Sequence, residues 1–285
     1  MEKIPVIVGI GELLWDELPT GRKTGGAPVN FVYHASQLGV ESYAISAVGK
    51  DDLGDKIVKE LEKYGLKYII ERVDFPTGTV QVTLNNGDPS YFIPENVAWD
   101  NIPLTPQAIE VVRRADAICF GSLAQRSPVS SQTIYALLAA APQTAIRYFD
   151  INLRAPYYSK ELILRSFEAA NVLKMNREEM QQVCVMLGWS GSDEQICRRL
   201  LSEYKFRYVI LTAGAAYSKV FSYDQASVIE TPEVNVMDTV GAGDAFSGAF
   251  ISGILSGKSI EEAHRFAVVT AAYVCTKTGA WPSYE

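Results

Sequence analysis

The stretch Asp238-Thr239-Val240-Gly241-Ala242-Gly243-Asp244-Ala245-Phe246 sets two glycines and a carboxylate at the opening of an apolar helix. Gly241 and Gly243 let the backbone turn tightly and come close to a ligand. The unpaired N–H groups and partial positive charge of a helix's first turn form an anion site made of backbone. A carboxylate at Asp244 is badly placed to bind a phosphate, because like charges repel. It is well placed to take a proton from a hydroxyl that is about to attack one. The same residues also suit a plain helix start with an acidic first turn, so the stretch alone leaves both readings open.

Other polar groups fall where such chemistry needs them. Asp16 lies just beyond the apolar run Val6–Ile10, where open α/β sheets place their ligands. Its carboxylate can accept hydrogen bonds from two hydroxyls of a polyol. Gly25 and Gly26 permit close approach, and Asn30 falls in the first turn of a helix that opens on Pro28. Asn30 is equally suited to local capping. Arg154 closes Asp150-Ile151-Asn152-Leu153-Arg154 at the end of another apolar run, a setting that suits contact with substrate or phosphate. Asn176 and Glu179 open a helix, where capping is the simpler role. Thr212 and Gly214 sit in a turn after a further apolar run.

Asp238 to Phe250, together with Gly25 to Asn30, resembles the two signature motifs of the ribokinase-like, phosphofructokinase-B carbohydrate kinases. Asp150-x-Asn152-x-Arg154 and Phe120-Gly121-Ser122-Leu123 resemble its fructokinase-like members. The resemblance implies Asp244 as catalytic base, with the backbone of Gly241, Ala242, Gly243 and Asp244 as anion hole. It implies Asp16, Gly25, Gly26, Asn30 and Arg154 as sugar-binding. Thr212-x-Gly214 resembles the nucleotide-facing turn, with Tyr217 standing where the family has its last glycine, and Gly241 and Gly243 also face ATP. Asn176 and Glu179 satisfy the Asn-x-x-Glu that organises Mg2+ and phosphate, largely through water. Thr278-Gly279-Ala280, with Asp238, resembles the border of a monovalent cation site for an ion such as K+.

The elements that must carry these residues alternate. Val6–Ile10, Ser42–Val48, Ala117–Phe120, Ala145–Phe149, Val172–Met175 and Tyr208–Thr212 read as strands, several apolar enough to be buried on both faces. Helical patterns cover Pro28–Leu38, Leu53–Tyr64, Ser130–Ala141, Lys160–Ala169, Arg177–Leu187, Asp193–Tyr204, Asp244–Leu255 and Ser259–Lys277. This order predicts an α/β fold with a mostly parallel sheet and helices on both faces, residues 1–285 forming one domain. Two segments, about 13–24 and 78–99, break the pattern. The first is irregular. The second alternates around Asn86-Gly87 as a hairpin does. A lone hairpin is marginal, so the two are expected to join as a small projecting sheet, a lid over the sugar, with a homodimer through it as one outcome.

Composition narrows the classes. The net charge of −7 argues against nucleic acid or an anionic membrane as partner. No run is apolar for the roughly 20 residues of a membrane span. The start lacks a signal-peptide pattern, so a cytoplasmic location is expected. Cys119, Cys184, Cys197 and Cys275 are scattered and read as four buried, reduced thiols. His34 and His264 read as packing or surface residues. Gly253-x3-Gly257-Lys258-Ser259 is one residue short of a P-loop and reads as a helix stop followed by a capping box. The expectation is an ATP- and Mg2+-dependent kinase acting on a primary hydroxyl, with fructose as first choice. Ribose, 2-keto-3-deoxygluconate and a nucleoside are the alternatives. From other classes, a silent sugar-binding regulator is disfavoured by the retained Asp244. An oxidoreductase is disfavoured by an incomplete dinucleotide fingerprint at Gly9-Ile10-Gly11.

Overall fold

The computed structural model describes residues 4–18, 21–85 and 88–284; for residues 18, 82–85 and 88–91 it describes the backbone alone. The strands are β1 (Val6–Ile10), β2 (Leu14–Leu18), β3 (Gly21–Gly25), β4 (Glu41–Gly49), β5 (Lys67–Val73), β6 (Gly78–Asn85), β7 (Asp88–Phe92), β8 (Ala117–Gly121), β9 (Ile146–Asp150), β10 (Val172–Asn176), β11 (Tyr208–Thr212), β12 (Tyr217–Phe221) and β13 (Ala226–Glu230). The α-helices are α1 (Ala27–Gln37), α2 (Asp52–Lys63), α3 (Pro106–Val112), α4 (Pro128–Ala140), α5 (Lys160–Ala169), α6 (Arg177–Leu187), α7 (Asp193–Tyr204), α8 (Ala242–Leu255) and α9 (Ile260–Cys275).

The large sheet has the order β13-β12-β11-β10-β9-β8-β1-β4-β5. Strands β11 to β5 in that order run parallel, and β12 and β13 add an antiparallel edge. Side chains alternate across this sheet as strand geometry demands. Val8, Ile118, Phe149, Leu173 and Val209 face one core with α3 to α7. Ile7, Cys119, Tyr148, Val172 and Ile210 face the other with α1, α2, α8 and α9. Both faces are therefore buried, which explains why these strands read as nearly unbroken apolar runs. Parallel strands also bring every carboxyl end to one edge of the sheet, and the candidate residues follow from those ends.

The irregular segment 13–24 proves to be the β2–β3 hairpin, and the predicted hairpin is β6–β7. Its Asn86-Gly87 turn lies outside the described residues. The hairpins join by parallel pairing of β2 with β6, giving a four-stranded sheet of order β3-β2-β6-β7. Three strands and a helix were not foreseen. β5 and β13 are edge strands and β12 lies next to one, all with mixed polarity, and α3 spans only two turns, so none carries a strong periodic signal. The thiols also depart from expectation in part: Cys119 and Cys197 are buried, while Cys184 and Cys275 are half-buried. The two histidines are packed inside, and burial holds His264 down at about 4, between the hydroxyls of Ser218 and Ser227. Ser259 and Glu262 form the foreseen capping box. No helix among the described residues is long and apolar enough to cross a membrane.

Asp51 roots the small sheet on the large one. Its carboxylate caps α2 through the Gly54 N–H and accepts both the N–H and the hydroxyl of Thr77, the residue that leads into β6. Burial opposes its charge, but these donors outweigh it and hold the carboxyl below the usual range. The resulting stability is present at neutral pH and is lost as pH falls through the carboxylate range. Asp51→Ala should therefore lower the unfolding free energy by about 1–3 kcal/mol at pH 7, with a smaller deficit in acid. Urea melts at two pH values check this, and a variant as stable as the parent at pH 7 refutes it.

Candidate active site

A cavity of about 430 Å3 opens between the carboxyl edge of the large sheet and the small sheet. Asp16, Gly26, Asn30 and Arg154 line one side; Asn176, Glu179 and Thr212 line another; Gly241, Gly243 and Asp244 complete it. The structure thus gathers residues from Asp16 to Asp244 in one place. Gly25, Gly214, Asp238 and Ala242 lie outside the lining, within two residues of it in the chain. Leu14, Val80, Ile93 and Leu123 supply an apolar wall, so the small sheet roofs the end near Asp16.

Gly241 caps α8 with φ of 81°, a left-handed conformation that suits glycine, and a Cβ there would stand 2.9 Å from Ala280. The turn exposes helix N–H groups to the cavity. One expectation is corrected: the Ala242 N–H donates to the Thr239 carbonyl at 3.2 Å. Among the described residues, no acceptor is bonded to the N–H of Gly241, Gly243 or Asp244, so these three are the donors left for an anion.

Asp244 is partly open to the cavity and otherwise enclosed. Burial and the neighbouring Asp150 carboxylate push its carboxyl up to about 7, against the pull of Lys174, Asn30 and Arg154. Lys174 Nζ bonds Asp150 Oδ2 at 2.7 Å, both side chains nearly buried. Burial opposes the Lys174 charge, yet Asp150 outweighs it and raises the ammonium above its usual range. Ser247 Oγ accepts from the Tyr148 hydroxyl and lies 2.9 Å from the Gly243 carbonyl and 3.3 Å from Asp150 Oδ2. This network fixes the first turn of α8 from below.

Asn30 holds Asp244 from the other side, donating from Nδ2 to Asp244 Oδ2 at 2.8 Å. Its Oδ1 accepts the indole N–H of Trp281 at 2.7 Å. An indole N–H only donates, so it fixes which end of the Asn30 amide faces Asp244. Trp281 in turn stacks on Tyr33 at 5.2 Å, and the Tyr33 hydroxyl bonds the Pro282 carbonyl. Asn30 is thus committed to the carboxylate as well as lying in the acceptor lining. Trp281 carried no sequence signal; only its distance in the chain from Asn30 is bridged by folding.

Asp16 faces the cavity with its carboxyl raised to about 6, by burial and against the attraction of Arg154. Gly25 makes room for it, since a Cβ at that position would stand 2.2 Å from Asp16 Oδ2. Glu12, not singled out as a site residue from sequence, is buried beside them. Burial raises it to about 7, and its Oε2 has no hydrogen-bond partner. Arg154 is exposed and bonds the Leu153 carbonyl.

Asn176 and Glu179 form a full capping box, and Glu179 Oε1 also accepts the Leu153 N–H. Their remaining lone pairs are oxygens, which suit the water shell of a hard cation. No group of three or more His, Cys, Asp or Glu suited to a metal ion occurs among the described residues. Thr212 ends β11 in the cavity, and Gly214 turns with φ of 54° toward β12. Tyr217 does not disturb that turn, because its phenol points to Asp193 at 2.6 Å. Asp238 Oδ1 accepts the Val240 N–H and Oδ2 the Gly279 N–H, while Lys23 Nζ lies 3.5 Å from Oδ2.

Residues 17–285 match the model of the pfkB family of carbohydrate kinases. An uncharacterized sugar kinase from Pyrococcus horikoshii is 28% identical, covering 97% of this chain and 93% of that one, and its crystal structure superposes with a TM-score of 0.84. Fructokinase-1 of Oryza sativa subsp. japonica is 25% identical over 98% of this chain and 94% of its own. A fructokinase double mutant from Vibrio cholerae, in a fructose-, ADP- and potassium-bound form, superposes with a TM-score of 0.84 at 20% identity, over 99% of this chain and 96% of that one. The fold is thus the ribokinase-like one. With the match running over nearly the whole chain and the Gly241–Asp244 turn at the floor of its cavity, this chain belongs to the pfkB family of carbohydrate kinases.

Proposed function

We propose that the chain phosphorylates a primary hydroxyl of a sugar, with ATP as donor and fructose as the first-choice acceptor. One observation carries the reading: a raised, enclosed carboxyl at Asp244 sits on the same helix turn as the free N–H groups of Gly243 and Asp244. A base and an anion site on one turn suit a hydroxyl that loses its proton as it attacks a phosphoryl group. Fructokinase relatives and the Asp150-x-Asn152-x-Arg154 segment favour fructose. The Pyrococcus horikoshii kinase has been crystallised with ATP, which supports the donor.

In this reading Asp16 and Arg154 bind sugar hydroxyls, and Asn30 orients Asp244 against them. Thr212, Gly214 and the Gly241–Gly243 turn face the nucleotide. Asn176 and Glu179 would hold the waters of Mg2+, which when bound neutralises phosphate charge. The small sheet excludes water from the reacting hydroxyl, and its exposed Phe92 gives a second copy of the chain a surface to pair on. A coupled assay of ADP release over sugars, sugar acids and nucleosides tests the acceptor; fructose ranking below ribose or 2-keto-3-deoxygluconate in kcat/KM overturns that choice.

Asp244 must be ionised to act as base, so kcat/KM should fall as pH drops through about 7. Asp244→Asn should lower kcat by about 10²–10⁴-fold with ATP and sugar still bound. The sign for stability is opposite to that of an ordinary ion-paired carboxylate. Because the folded-state pKa is raised, the stability that Asp244 contributes is lost as pH rises through about 7. Asp244→Asn should therefore gain more in melting temperature over the parent at pH 8 than at pH 4, read by calorimetry. An Asn variant with parental kcat removes Asp244 from the base role.

Trp281→Phe keeps the ring on Tyr33 but deletes the donor to Asn30. The Asn30 amide is then free to turn, and kcat should drop about tenfold, a loss of ~1.4 kcal/mol, with the KM for ATP unchanged. Asp16→Ala should instead raise the sugar KM, by about 1.5–3 kcal/mol of lost charged hydrogen bonding. Steady-state kinetics on both variants separate the two roles. If Asp16→Ala weakens ATP rather than sugar, the acceptor pocket is misassigned.

A further inference from the structure

The resemblance to the sugar kinases implies a monovalent cation beside Asp238, and in this chain the Lys23 ammonium already stands at that carboxylate. Both oxygens of Asp238 already accept backbone N–H groups, from Val240 at 3.0 Å and Gly279 at 2.9 Å. The remaining face of Oδ2 meets Lys23 Nζ at 3.5 Å. This contact is supported along the Lys23 stem. A Cβ added at Gly279 would stand 3.4 Å from Nζ, 3.5 Å from Cδ and 3.7 Å from Cε, so the chain of Lys23 lies over the C-terminal turn. Lys23 is part of β3 in the small sheet, paired in register with Asp16 of β2, and it lines the cavity. One side chain therefore spans from the roof of the acceptor site to the loop that runs into the Gly241–Asp244 turn.

We propose that the Lys23 ammonium is a tethered substitute for the monovalent cation, so that this kinase works without K+ or any other monovalent metal ion. An ammonium and a potassium ion carry the same charge and repel each other at one carboxylate. The tethered cation is always present at high effective concentration, whereas a free ion must be drawn from solution. Because Lys23 belongs to the small sheet, this ion pair also ties that sheet to the loop that precedes the Gly241–Asp244 turn. The pair is only partly buried, so its contribution is positional: it sets where the loop lies more than how stable the protein is.

The proposal rests on the Asp238–Asp244 segment being the phosphoryl site, but not on which sugar is the acceptor. Phosphorylation of D-fructose by MgATP, and the melting temperature, are compared in KCl, NaCl and tetramethylammonium chloride at one ionic strength. The parent rate should vary by less than about twofold, and its melting temperature should not depend on the cation. Lys23→Met should lose about tenfold or more in tetramethylammonium chloride, recover in KCl, and melt higher in KCl than in tetramethylammonium chloride. Lys23→Arg should keep the parental insensitivity. A parent enzyme activated about tenfold by KCl overturns the proposal, as does a Lys23→Met variant indifferent to the cation in both rate and melting. If Lys23→Met does not fold, the parent salt series and Lys23→Arg still decide. If fructose is not turned over, the acceptor choice fails while the melting series still decides the cation question.

Discussion

The interaction on which this structure turns is the enclosure of the Asp244 carboxyl, which burial raises and its neighbours hold at about 7. Burial alone would push it higher still. The fold balances that cost with named groups. Lys174 and Arg154 attract the charge, Asn30 donates to it, and Asp150 limits how far the pKa falls. Each balancing group is itself fixed: Lys174 by Asp150, Asn30 by Trp281, and the helix turn by Ser247 and Tyr148. A carboxyl held near 7 in this way is a stronger base than an exposed aspartate and is still mostly ionised in slightly alkaline solution.

The parallel sheet is the reason such groups can meet. β1, β8, β9, β10 and β11 end at one edge, and the last residues of β9, β10 and β11 or the residues just after β1, β8, β9 and β10 line the cavity. Helices on both faces hold those strands rigidly, with Tyr148, Phe149 and Phe250 fully buried. The small sheet is attached less deeply. Asp51 with Thr77, Trp15 with the Leu53 carbonyl, and Arg126 with Asp100 are its main ties. Arg126 is further stacked on Trp99 and Tyr157 and bonds the Ile93 and Pro94 carbonyls, which secures the return from β7. A rigid chemical floor under a tethered roof is what a reaction that must exclude water requires.

Much of this was legible in the residues, for reasons that can be stated. β1, β11 and α5 to α7 fall where apolar periodicity, caps and glycine stops put them, because they are buried elements whose pattern reports the core directly. Asp244, Asp16 and Asn30 were readable because a helix start or strand end recurs next to glycines that allow close approach. β5, β12 and β13, at or next to the sheet's edges, were not, since their mixed polarity blurs the alternation. The joining of segments 13–24 and 78–99 into one small sheet was expected, but not that 13–24 is itself a hairpin, since β2 and β3 mix charged, polar and apolar residues. Trp281 and Lys23 were hidden because their partners, Asn30 and Asp238, are distant in the chain and near only in the fold.

The charge distribution in the cavity bears on what the acceptor is. At the acceptor end three carboxyls, Glu12, Asp16 and Asp244, are all raised, mainly by burial, and Arg154 is the cation that acts on each. At the phosphate end the cations are Lys23 and Lys174, each already paired with an aspartate, and the helix turn adds backbone N–H groups. An acceptor carrying its own carboxylate or phosphate would add negative charge beside carboxyls that burial already holds raised. A neutral polyol does the opposite, since its hydroxyls can donate to carboxylate oxygens that face the cavity, such as those of Asp16. On the proposed reading, these raised carboxyls are the groups that the hydroxyls of a neutral sugar would satisfy.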